Sequence, residues 1–342
     1  MRRELLPVVI LMLLLLIARQ ALPYVESDPK VGTGFEVELI KSGLGGPTCL
    51  HWVDESHLLV CDRDSGSILI LDENFTITTL LPELDRPHGV LATDNSLFIS
   101  EAGKLTKYDF SNYVANNSTV LVTGIADGNH QTNAINMLAN GTLIWHSGST
   151  CNVCTELDER NGALLWVDPI SGEHGVLASG VRNSFDGTLI EDMGYVFTDN
   201  GRDWEGEHPF EEINLLEENG AYGWPDDDPD HPIPEGTIAP IATWTAHTSV
   251  NGIDVRPENS SLPGGEYTAY ASVYGSWNTI LPQGHEIIRI DFSVDSDGNW
   301  EGETTRFATD LGTPLPLRFH PNGDLYYATF GNDGSLYRIT GV

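Results

Sequence analysis

The stretch TDNGRDWEGEHPFEEINLLEENGAYGWP, from Thr198 to Pro225, crowds Asp, Asn and Glu between two glycine-containing turns. Oxygens at that density have two uses. They form a solvated acidic loop, or they converge on a hard cation such as calcium, which takes six to eight oxygen ligands, backbone carbonyls included. A second candidate for chemistry is Cys151-Asn152-Val153-Cys154. A CxxC unit serves as a zinc half-site, a redox pair or a small local disulfide. No second CxxC accompanies it, so a Cys151–Cys154 disulfide is the plain reading. Cys49 and Cys61 flank LHWVDESHLLV, with polar Asp54, Glu55 and Ser56 midway. Folded as a hairpin, that stretch sets the two cysteines opposite each other within bridging reach, which predicts Cys49–Cys61.

An even count of four cysteines fits an oxidising compartment, and sequons at Asn74, Asn117, Asn140 and Asn259 agree with export. The N-terminus points the same way. Arg2 and Arg3 precede an unbroken apolar run from Leu5 to Ala18, the layout of a secretory signal over residues 1–24. The run is somewhat short of the ~20 residues a spanning helix wants, and an uncleaved N-terminal anchor is the alternative. Export places the chain outside the cell, in a periplasm or on the cell surface. The formal net charge of −33 excludes nucleic acid as a partner and repels anionic head groups, so a membrane enters only through such an anchor.

The elements that must position these residues repeat. No long 3.6-period apolar stripe follows the N-terminus, and 40% hydrophobic residues exclude global disorder. An apolar strand, a polar turn and a second apolar strand recur as CLHWVDESHLLVCD, GVLATDNSLFISE, AINMLANGTLIWHS, GTLIEDMGYVFTD, GIDVRPENSSLPGGEYTAYASV and LRFHPNGDLYYATF. A third strand follows each: SILILDE, KLTKYDF, GALLWVDP, EINLLEE, EIIRIDF and SLYRIT. Six such units, roughly 40 to 65 residues apart, predict an all-β, six-bladed β-propeller over residues 30–342. FEVELIKSG near the start then supplies the outer strand of the last blade. Insertions gather in the fourth and fifth blades, so a functional centre is expected at the end of the propeller that carries them.

RPHGV, GSTCNVC, SGVRN, DNGRDWEGE with EEINLL, YGWP and YGSWN occur in the order found in the soluble glucose dehydrogenase and sorbosone dehydrogenase family. The chain resembles those propeller enzymes from about Pro47 to its C-terminus. The resemblance implies two cofactors, pyrroloquinoline quinone and calcium. It implies that His130, in DGNHQTN, is the catalytic base, and that Arg182 and Asn183 lie beside the quinone, with Arg182 stabilising charge as the quinol forms. Asn200, Gly201 and Arg202 match the turn that holds the cofactor-linked calcium through backbone carbonyls. Glu212 and Tyr222 match positions tied to a second, structural calcium. His88, Trp244, His247, Trp277 and Asn278 match pocket walls, His88 standing where the glucose enzyme has glutamine. One departure concerns charge. The basic residues that bind the cofactor's carboxylates at the start of the last blade are replaced by GTPLPLRF, and the fifth-blade lysine is missing around YGSWN.

Three functions follow as expectations. The first is an exported dehydrogenase that oxidises a hydroxyl or aldehyde of a small sugar or polyol and passes electrons to an unidentified acceptor. The second is a non-enzymatic calcium-binding surface propeller, favoured by the missing basic residues. The third, a calcium-dependent hydrolase of the lactonase type, wants a cluster of Glu, Asn and Asp around the central channel, which the blade starts do not supply.

Overall fold

A computed structural model describes residues 28–203, 206–276, 279, 282–331 and 333–342. The expected signal or anchor over residues 1–24, Trp277 and Asn278 lie outside the described residues. Six antiparallel sheets follow one another along the chain, five of four strands and one of five. The innermost strands are Pro47–Trp52, Gly89–Ala92, Thr132–Met137, Ser184–Ile190, Val250–Val255 and Pro314–Phe319, for blades one to six. The propeller read from the sequence is the fold.

The repeated apolar runs form strands buried on both faces because each blade is sandwiched between two neighbours. In the second strand of blade one, Leu58–Asp62, every residue is buried. Alternation along the strand divides its side chains between the two interfaces. Leu59 and Cys61 pack with Val90, Leu97 and Ile99 of blade two. Leu58 and Val60 pack instead with Tyr326, Ala328 and Leu336 of blade six. The same logic runs round the ring, giving one apolar cluster at every blade interface. Each fully buried aliphatic side chain contributes roughly 1.5–3 kcal/mol, so the ring holds together without a single central core.

Closure uses the strand expected for it. Phe35–Ser42 pairs with Ser335–Gly341 as the outer strand of the C-terminal blade, so the first and last parts of the propeller share one sheet. An element absent from the sequence reading is Lys30–Val31, which pairs with Thr309 and Ala308 as a fifth strand of blade five. Both disulfides are formed. Cys49 and Cys61 are register partners across the first hairpin, with Cα atoms 5.0 Å apart, and Cys151 bonds Cys154.

Candidate functional site

Every inner strand starts at the same end of the channel. Residues just before an inner strand, and residues in the loops joining second to third strands, therefore face one space. A cavity of about 290 Å³ there is lined by Arg63, Arg86, His88, His130, Asn183 and Phe330, among others. A second, of about 360 Å³, is lined by His130, Arg182, Asn200, Gly201, Glu211 and His247, among others. Asn129, His130, Asn183 and Ser249 line both, so the two are lobes of one pocket.

His130 sits between the lobes, and its tautomer is fixed by a relay. The Ser149 hydroxyl donates its one proton to the carbonyl of Cys151, 2.8 Å away. Its oxygen must therefore accept from His130 Nδ1, 2.9 Å away, which places the imidazole proton on Nδ1 and the lone pair on Nε2. Burial first, and the Arg182 charge second, lower the imidazole pKa to about 3. The ring is neutral throughout the neutral range. Cys151 is held by its disulfide to Cys154, so the CNVC loop supports the relay.

The same loop holds Arg182. Asn152 Oδ1 accepts from the guanidinium at 2.9 Å and from the backbone amide of Asp203 at 2.9 Å. Asp203 makes an ion pair with Arg182 at 3.0 Å, and the carbonyl of Asn200 accepts from it at 3.3 Å. Arg182 thus faces the pocket and is salt-bridged at the same time. Asn183 lies beside it, its backbone N–H donating to Asp199 at 2.7 Å. Asn200 is fixed by a bond from Nδ2 to the carbonyl of Val250 at 2.7 Å and by the Ser249 hydroxyl. Gly201 is required by crowding, since a Cβ there would collide with Pro209.

Three buried polar atoms on the pocket wall have no partner among the described residues: His88 Nδ1, His247 Nε2 and Glu211 Oε2. Leaving such groups unmade costs about 1–3 kcal/mol each, and they cluster where a polar ligand or ion completes the site. Burial also pushes the carboxyls of Asp199 and Glu211 up to about 7. Burial and then the charge of Asp199 push Glu212 up to about 8. Acids so placed favour a proton or a cation.

Four described residues named from the sequence line neither lobe, Glu212 and Tyr222 among them having been matched to a separate, structural calcium. Arg202 donates to Asp227 at 2.9 Å and to the carbonyl of Pro225 at 2.8 Å, and it does not line either lobe. Trp244 is on the outer strand Ala242–Trp244, donating to Glu286 at 3.0 Å. Glu212 alternates with Glu211 along Glu211–Leu215 and accepts from Asn214 at 3.1 Å. The Tyr222 hydroxyl donates to the carbonyl of Leu215 at 2.7 Å. The residues the sequence reading missed are Arg63, Arg86, Glu211, Ser149 and Asn152. Arg86 was in view, inside RPHGV, but nothing in a linear motif shows that it shares a cavity with Arg63.

No model of a known protein family matches the chain. An uncharacterized protein of Borreliella burgdorferi is 24% identical over 359 residues, covering 92% of this chain and 91% of that one. Solved structures are more informative. The holo form of the pyranose dehydrogenase PQQ domain from Coprinopsis cinerea has a TM-score of 0.78 at 17% identity, covering 93% of this chain and 98% of that one. The PQQ-bound aldose sugar dehydrogenase of Streptomyces coelicolor has a TM-score of 0.69 at 16% identity, covering 91% and 99%. A calcium structure of a Trichoderma reesei family AA12 carbohydrate-active enzyme has a TM-score of 0.76 at 17% identity, covering 94% and 99%. Their fold is this fold. At such identities the likeness is one of architecture, and the chemistry of this pocket has to be argued from its own residues.

A first test concerns the relay. Ser149→Ala removes the acceptor that fixes the His130 tautomer. If His130 is a base, turnover should fall by about tenfold, the worth of one hydrogen bond, with KM little changed. Ser149→Thr, which keeps the hydroxyl, should restore the rate. An alanine variant with wild-type turnover would remove Ser149 from any role in orienting the ring.

Proposed function

We propose that the chain is an exported dehydrogenase that oxidises a hydroxyl or aldehyde of a small sugar or polyol, with pyrroloquinoline quinone as hydride acceptor and calcium beside it. The observation that carries the reading is His130, neutral, with its proton on Nδ1, in one pocket with a buried guanidinium. The wall also fits the group. A tri-carboxylate needs cations, and Arg63 and Arg86 face one lobe and Arg182 the other, although the expected last-blade arginines are absent. Arg318 does not stand in for them, being paired with Asp186 at 2.9 Å. Asn183 and His247 supply further polar contacts. Glu211 and the backbone around Asn200 and Gly201 supply oxygens for calcium.

The quinone, when bound, supplies a two-electron acceptor for hydride. The protein does the rest. His130 Nε2 takes the hydroxyl proton as the carbon-bound hydrogen leaves with its electron pair, and the product is a carbonyl. The Ser149 relay keeps Nε2 unprotonated before each turnover. Arg182, held in place by Asn152 and Asp203, provides fixed positive charge where negative charge develops. Residues 1–24 act as the export signal or anchor in this reading.

One observation favours the surface-propeller reading. Guanidiniums at the pocket already have acids: Arg86 with Asp127 at 2.6 Å and Arg182 with Asp203 at 3.0 Å. Titrating purified protein with pyrroloquinoline quinone, with and without calcium, decides between them. The dehydrogenase reading expects a calcium-dependent, saturable change in the quinone absorbance and dye reduction by aldoses. A quinone that never binds at any calcium concentration passes the function to the surface propeller.

A further inference from the structure

We propose that the end of the propeller opposite the pocket is a glycosylated face, with N-linked saccharide on Asn74 and Asn140 first and on Asn117 and Asn259 to a lesser extent. The proposal rests on the export reading of residues 1–24 and is independent of what the pocket binds.

The sequons come from four different blades, yet the topology gathers them on one side. Inner strands start at the pocket, so the turns joining first to second strands, and third to fourth, lie at the far end. Asn140 is in the turn between Thr132–Met137 and Leu143–Ser147 of blade three. Asn259 is in the corresponding connection of blade five, between Val250–Val255 and Thr268–Val273. Asn74 is in the turn between Ser67–Leu71 and Ile77–Leu81 of blade one. Asn117 is on the outer strand Val114–Val122 of blade two, in the half next to its far turn. One contact joins two of the far turns: the side-chain amide of Asn259 donates to the carbonyl of Pro321 in the far turn of blade six. All four asparagines are exposed.

The pocket end has asparagines in plenty and no sequon among those described. Asn129, Asn152, Asn183 and Asn200 are followed by His-Gln, Val-Cys, Ser-Phe and Gly-Arg. Bulky saccharide is therefore excluded from the mouth of the pocket and admitted only where nothing has to approach.

Transfer forms a bond from Asn Nδ2 to the anomeric carbon of a lipid-phosphate-linked saccharide. The bond from that carbon to the phosphate oxygen breaks, the lipid phosphate leaves with the electron pair, and the amide gives up one proton. The hydroxyl residue two places on is Thr76, Thr142, Thr119 or Ser261. Accessibility of Nδ2 ranks the sites. Asn117 donates to Asp109 at 3.0 Å and Asn259 to Pro321 at 2.8 Å. No hydrogen bond engages Nδ2 of Asn74 or Asn140 among the described residues.

The test is peptide mass spectrometry on the full chain recovered from outside its producing cells. Peptides with Asn74 and Asn140 should carry a saccharide mass increment, and Asn74→Gln and Asn140→Gln should each remove one. Dye reduction, if the wild type shows it, should be the same in both variants because the far end does not contribute to the pocket. Unmodified masses for all four peptides in exported protein would overturn the proposal. Saccharide on Asn129, Asn152, Asn183 or Asn200, or a chain that never leaves the cell, would do so equally.

Discussion

Replacing His130 by glutamine is expected to lower the rate of sugar oxidation by about 10²–10⁴-fold, the usual cost of losing a general base. Glutamine keeps a donor that can reach Ser149 Oγ but has no basic nitrogen, so binding of the reconstituted quinone should persist while turnover collapses. Dye-reduction assays under saturating quinone would show this as a loss in kcat. The pH dependence gives a second signature. Burial and Arg182 hold the His130 pKa at about 3, far below the ordinary 6.5. The acid limb of the wild-type rate profile should then lie well below pH 6. A different process closes in first. His51 and His146 are held at about 4 and His88 at about 3, in each case chiefly by burial. Histidines with depressed folded pKa values contribute stability that is present above pH 6.5 and lost as pH falls toward those values. Acid unfolding, not protonation of the base, should set the lower limit of the assay. A His130→Gln enzyme as fast as wild type would sink the mechanism.

The fold was legible because propeller strands are buried on both faces and punctuated at regular intervals. Runs such as LLVCD and LIWHS can be placed without knowing their neighbours, and the register partner of Cys49 follows from the hairpin alone. The site was legible only where one short segment carries it. DGNHQTN and SGVRN lead into inner strands and the Asn200 turn follows the second strand of blade four, so His130, Arg182, Asn183, Asn200 and Gly201 meet. What stayed hidden depends on the ring closing. Arg63 follows the second strand of blade one and Arg86 precedes the inner strand of blade two, and only the angle between blades makes them neighbours of His130. Strand parity hid Glu211: the motif EEINLL offers two adjacent acids, and which one faces the pocket depends on pairing with Ala242–Trp244. The same pairing removes Trp244 from the pocket, because a residue that reads as a loop aromatic is in an outer strand.

Removing calcium should destabilise the protein, and Glu211 should be the residue through which it does so. Burial is the largest cause of the raised carboxyls of Asp199, Glu211 and Glu212, the charge of Asp199 adds to it at both glutamates, and Glu211 Oε2 has no partner among the described residues. A cation bound only by the folded chain at about 100 times its Kd adds about 2.7 kcal/mol. For a domain of this size that is on the order of 5 °C in Tm. Chelator should therefore lower the melting temperature by roughly that amount. Glu211→Gln keeps the shape, loses the charge and should abolish most of the difference. Glu212→Gln is the discriminating control, since the family resemblance ties Glu212 to a second, structural calcium while the pocket points to Glu211. In the chelated protein the sign with pH is set by the raised acids. Their folded pKa values, about 7 for Asp199 and Glu211 and about 8 for Glu212, exceed the unfolded ones. Their contribution is complete below the unfolded carboxyl range and is lost as pH rises through 7 to 8. Chelated protein should thus melt progressively earlier from about pH 5 to 8, and calcium, competing better as the protons leave, should flatten that decline. A melting curve indifferent to chelator at pH 8, in wild type and in both variants, would leave these oxygens with no cation to hold.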